Sequence, residues 1–248
     1  MSKYHKYISV VISLVFLIIV QEFSVPRPIF RFLVPAFLLF LLALSFYNRR
    51  YLLEIGKYNP WSLLRPVLFF ASMFGLFLII PGSFWRGLFL LVVVVLGSLF
   101  ELFLGNFGEN ITLNETLVIA FGLFMSISAF ALLYAPKFQT LYLAAIFLAT
   151  FLTTRCFYEF IPQDGRQKLV PSLVIALFCT QLFWALTFLP LHYSASALML
   201  FNIFYFCLIL NYYQAFNTLS LRKFQLHLAL MLACSGFIFL LTPWKIIG

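Results

Sequence analysis

Charge is what this sequence has least of. Charged residues make up 9% of 248 positions, and only 7 are acidic. A water-soluble domain carries about 25% charged residues, so this chain cannot clothe a core in a solvated surface. Asp164 stands alone as an aspartate. Paired aspartates that hold Mg²⁺ against a phosphate ester therefore cannot be assembled. The 3 histidines, His5, His192 and His227, are widely spaced and form no H-E-x-x-H or other metal set. The 4 cysteines (Cys156, Cys179, Cys207 and Cys234) lie within apolar runs and form no C-x-x-C pair. In that setting they act as small hydrophobes. No G-x-S-x-G or P-loop is present, and nothing in the motifs calls for a metal or cofactor. Glycine, 11 of 248, falls below the usual share of about 7%. Membrane helices are normally richer in it, which speaks against a tightly apposed, moving transporter core.

What fills the chain instead is apolar residues, 64% of the total, with 34 phenylalanines. They come in runs of about 17 to 22, the length that crosses a hydrocarbon core about 30 Å thick. Backbone in lipid must satisfy its own hydrogen bonds, so such runs are helices. The reading is all-α: a polytopic transmembrane helical bundle of about nine helices, one integral membrane domain over residues 1–248. The expected spans are 7–23, 30–47, 63–81, 87–104, 116–134, 139–160, 169–190, 195–216 and 224–242. Pro, Gly, Asn and Asp mark most breaks, in "VPRP", "NPW", "PGS", "GNFGEN", "APK", "IPQDG" and "LPLHYS". The basic, then apolar, N-terminus has no A-x-A-like cleavage site and reads as a retained first helix. The longest connection, residues 48–62, reads as a cytoplasmic interfacial helix or loop.

Basic residues set the orientation. With the N-terminus inside, the inner side holds Lys3, Lys6, Arg49, Arg50, Lys57, Arg65, Arg155, Arg166, Lys168, Arg222 and Lys223. The outer side holds Arg27, Arg31, Arg86, Lys137 and Lys245. Eleven against five favours N-in and, with nine spans, C-out. The expected setting is a cell membrane crossed many times. The net charge of +9 then meets anionic lipid head groups at the cytoplasmic face, and no contiguous basic surface exists for nucleic acid. The glycosylation sequons at Asn110 and Asn114 would face inward and read as accidental.

Polar residues inside the spans are the candidates for function. Arg155 and Glu159 lie one turn apart at the inner end of the sixth span. The helix dipole suits the arginine and disfavours the glutamate, which gains from a nearby cation. Glu101 lies four residues after Gly97 and four before Gly105, on a stripe of small residues where another helix can approach. It has no basic residue within four positions. Its expected partner is Arg65 or Arg155, unless it is a neutral acid. Asn211 and Gln214 approach the inner end of the eighth span. Arg65, Glu101, Arg155, Glu159, Asn211 and Gln214 thus map to one layer, either an inward-opening polar cluster or interfacial trim. Gln181, Asn202 and His227 are isolated and expected to hydrogen-bond neighbouring helices. Glu22, near the outer end of the first span, lacks the acidic companion that a lipid-linked glycosyltransferase site would use there. "ACSG" at 233–236 is similar to the nucleophile segment of exosortase-type transpeptidases, but the Arg and His such enzymes need are missing after it.

From Gln181 onward, Phe183-Trp184, Phe188-Leu189-Pro190, the Leu219–Arg222 step and the ending around Trp244 carry a further likeness. This last third resembles a multispan membrane family of unknown function from bacteria of the candidate phyla radiation. Pro243 departs from the basic residue expected before the tryptophan. The resemblance implies a bacterial inner-membrane setting and brings no activity or site residue. The leading expectation is a non-enzymatic scaffold or complex subunit, with a membrane-protein partner or a second copy of itself. The alternative is a small carrier or lipid-handling protein using the inner polar layer. Third is an intramembrane enzyme acting on a lipid-linked substrate.

Overall fold

The computed structural model describes residues 4–24, 30–104, 109–131, 139–159, 161 and 165–242. Among them are nine helices: α1 (His5–Ser24), α2 (Phe30–Glu54), α3 (Pro60–Ile79), α4 (Ser83–Leu102), α5 (Glu109–Ala129), α6 (Gln139–Tyr158), α7 (Gly165–Thr187), α8 (Tyr193–Ala215) and α9 (Leu221–Leu241). All nine are long and apolar enough to cross a membrane, and the described residues include no strand. The chain is a multi-pass integral membrane protein, all-α among its described residues. Gly105, Arg27, Asp164, Lys137, Pro243, Trp244 and Lys245, each used in the sequence reading, lie outside the described residues.

Two helices differ most in extent from the expectation. α2 continues through Asn48–Arg49–Arg50 to Glu54, so the segment 48–54 is its last turns and only residues 55–59 connect it to α3. The basic pair had read as the start of an interfacial stretch. Asn48 and Leu52 are both fully buried, which holds those turns to the bundle. α5 begins at Glu109, inside a run whose Gly and Asn residues had read as a turn.

Local chemistry sets several boundaries. Asn59 caps α3, its side-chain oxygen accepting from the Trp61 N–H, and Pro60 opens the helix where no N–H is needed. His192 accepts from Ser194 at the start of α8, and Ser220 accepts from Lys223 at the start of α9. The α2–α3 connection turns at Gly56 and the α3–α4 connection at Gly82, with φ of 68° and 78°, where a side chain would be strained.

The chain forms two compact units, residues 1–115 and 116–248, the boundary falling within α5. In the first, α1 packs on α4 and α2, and α3 packs on α2 and α4. Phenylalanines fill the space between. Phe16 meets Phe70 at 5.1 Å and Phe40 at 5.8 Å, Phe37 stacks on Phe74 at 4.2 Å, and Phe69 on Phe100 at 4.1 Å. Lipid tails are as apolar as these side chains, so fit rather than water exclusion holds the helices together. Aromatic pairs at these distances add roughly 0.5–1.5 kcal/mol each beyond area burial.

In the second unit, α6 packs on α7, α7 on α8, and α8 on α9. Phe121 and Phe124 of α5 meet Phe201 and Phe204 of α8 edge-on. α9 differs from the other helices, because none of its residues is buried.

Candidate functional site

In the first unit the polar residues gather where α1 begins and where α2 and α4 end. α1 carries His5, Ser9 and Ser13 at four-residue spacing, all buried. Ser9 and Ser13 return their hydroxyls to the carbonyls of His5 and Ser9, leaving a narrow face. Gly97 of α4 lies against that face. A Cβ there would come within 2.8 Å of Ser13 Oγ and 3.1 Å of Phe70 Cζ. The small-residue stripe foreseen around Glu101 is thus used at Gly97, where α1 comes close.

That approach brings His5 to α4. Its Nε2 lies 2.7 Å from the backbone carbonyl of Glu101. A carbonyl only accepts, so Nε2 donates and satisfies a carbonyl of the last helical turn. In the neutral ring, Nδ1 then accepts from the Tyr47 hydroxyl at 2.9 Å. The ring stacks on Tyr51 with centroids 3.6 Å apart. The expected first span begins at residue 7, yet His5 is buried in α1 and joins α1, α2 and α4.

Glu101 itself is fully buried. Asn48, also fully buried, donates from Nδ2 to Glu101 Oε1 at 3.1 Å. Glu101 Oε2 and Asn48 Oδ1 are buried with no hydrogen-bond partner. Arg65, one expected partner for Glu101, forms an ion pair with Glu115 instead, and both side chains are buried. Sequence reasoning missed Asn48 and Glu115. Asn48 lay between an apolar run and two arginines, and Glu115 in a segment rich in turn residues.

In the second unit, Arg155 occupies the last turn of α6 and Glu159 the residue just beyond it, both half-buried. Asn211 and Gln214 share one feature, a cavity of about 470 Å³ lined also by Tyr158, Gln167, Val170 and Pro171. The ends of α6 and α8 and the start of α7 form it. Its polar lining consists of neutral amides and a phenol. Asn211 donates to the Cys207 carbonyl one turn earlier.

The isolated polar residues do what was expected of them where they are hydrogen-bonded between helices. Asn202 of α8 donates to the Met231 carbonyl and to Ser235 Oγ of α9, both at 2.8 Å. His227 of α9 lies 3.4 Å from the hydroxyls of Tyr205 and Tyr213. Gln181 is exposed. Among the described residues, no three His, Cys, Asp or Glu side chains converge that could hold a metal ion. Comparisons of the chain with protein-family models, with curated proteins and with solved structures give no match in any of the three.

Proposed function

We propose that this protein is a non-enzymatic component of a membrane assembly that meets a partner helix, or a second copy of itself, along α9. The observation that carries the reading is that α9 contains no buried residue. Its contact face toward α8 is held by Asn202 on Met231 and Ser235. On its outward side Ala229, Ala233 and Gly236 are exposed at helical spacing, and a Cβ at Gly236 would meet nothing within 4 Å. Large apolar residues facing lipid need no explanation, but small ones in a row let another helix backbone approach. The N-in orientation and a bacterial inner membrane belong to the same proposal.

The test is crosslinking in native membranes through a cysteine placed at Ala233, with Cys234 replaced. A specific dimer or hetero-adduct, lost when Gly236 becomes Leu, is the expected result. Monomer alone at every crosslinker length sinks the proposal.

A second reading, a small carrier or lipid-handling protein, is supported by the cavity of about 470 Å³ lined by Asn211, Gln214 and Gln167. It takes a polar, hydrogen-bonding group. Replacing Asn211 and Gln214 by Leu then abolishes the cellular phenotype of the intact protein while leaving α9 crosslinking unchanged. Full rescue by that variant removes the carrier reading.

A further inference from the structure

The end of the first unit holds an arrangement that lateral association does not use. Glu101 and Asn48 are both fully buried, joined by one hydrogen bond from Asn48 Nδ2 to Glu101 Oε1. Each keeps one oxygen, Glu101 Oε2 and Asn48 Oδ1, buried and without a donor. Two orphaned acceptors on two side chains already in contact form an incomplete pair.

The surrounding groups are committed elsewhere. From α1, His5 donates to the Glu101 backbone carbonyl rather than to its carboxyl, and its other nitrogen is engaged by Tyr47 of α2. Tyr51 of α2 stacks on the His5 ring, and Glu54 closes that helix at an exposed position. From α3, Arg65 is paired with Glu115 of α5. A hard metal cation such as Ca²⁺ takes about six to eight oxygens, and two free ones are offered. A proton needs only two. We infer that Glu101 and Asn48 form a membrane-buried proton-binding site, with the proton on Glu101 Oε2 donated to Asn48 Oδ1. The carboxylate takes up one proton, and no other bond changes. The product is a cyclic acid–amide pair in which both orphaned oxygens are satisfied. The inference is independent of the role given to α9.

The full-length protein in lipid vesicles tests it at neutral pH in two ways. A hydrophobic carbodiimide reacts with a protonated carboxyl, the acid O–H adding across one C=N bond so that oxygen bonds to carbon and the proton moves to nitrogen. Mass spectrometry of the wild-type protein should find the adduct on Glu101 and none on the exposed Glu22 and Glu54. Infrared spectroscopy should show a carboxylic-acid C=O band that disappears in Glu101→Gln. That band should move to higher frequency in Asn48→Leu, where the amide partner is gone. An unlabelled Glu101 in the wild-type protein, or no acid band removed by Glu101→Gln, overturns the proposal. A band that Asn48→Leu leaves in place overturns the pairing with Asn48.

Discussion

Arg65 and Glu115 show how a charge survives in a chain that has so few. Both are buried, and each answers the other. Removing one partner from such a pair strands the other, at a cost of about 3–5 kcal/mol, whereas replacing both with apolar residues of similar size is often neutral. Arg65→Met and Glu115→Leu should each lower stability by that order when unfolding is followed in mixed detergent and denaturing surfactant. The double variant should recover most of the loss. If the double variant falls as far as the sum of the singles, the two side chains are not coupled. Neither member of the pair could be matched to the other from the sequence. Glu115 sits in "GNFGENITLNE", where glycines and asparagines read as a loop. His5 was hidden for a related reason: the apolar run begins two residues later. The spacing of His5, Ser9 and Ser13 carried a usable signal, a polar stripe along one face of a helix in lipid.

Among the helices, two glycines occupy opposite environments. At Gly97 an added Cβ would clash with Ser13 and crowd Phe70, whereas Gly236 faces open space. The hydroxyl of Ser13 can rotate away from an added carbon, but Phe70 is fully buried and cannot. Gly97→Leu must therefore push α4 from α1, costing about 1–3 kcal/mol as overpacking usually does. It should also loosen the His5 contact to the Glu101 carbonyl, visible as faster amide exchange at the end of α4. Gly236→Leu should change the stability of the monomer by no more than about 0.5 kcal/mol, while abolishing any association along α9. Unfolding measured on both variants under one condition gives the contrast; equal losses would contradict it. The Gly-x₃-Glu spacing made the close approach at Gly97 legible in the sequence. That α1 is the approaching helix was not legible, because apolar residues surround most of these helices and no amphipathic face singles out a neighbour.

For the molecule as a whole, the bilayer makes the architecture readable. It fixes the length of each crossing and forces the backbone into helices, so nine apolar runs became nine helices among the described residues, with α2 and α5 departing most from the expected bounds. Lateral packing has no comparable rule, and no linker marks the split into two compact units, whose boundary falls within α5. By the positive-inside rule the basic residues, eleven against five, predict an N-in arrangement. It makes a sharp prediction at three exposed connections: Lys57 between α2 and α3, Ser83 at the start of α4, and Leu219 between α8 and α9. One crossing, α3, separates Lys57 from Ser83, whereas α3 to α8, an even number, separate Lys57 from Leu219. In a protein without its native cysteines, a membrane-impermeant maleimide applied to intact cells should label Ser83→Cys. It should leave Lys57→Cys and Leu219→Cys untouched until the membrane is opened. The inverse pattern would mean that the lysines and arginines are outnumbered by some other determinant of insertion. Labelling of both Lys57→Cys and Ser83→Cys from outside would mean that α3 does not cross, and the ion pair of Arg65 would then lie at the surface rather than within the bilayer.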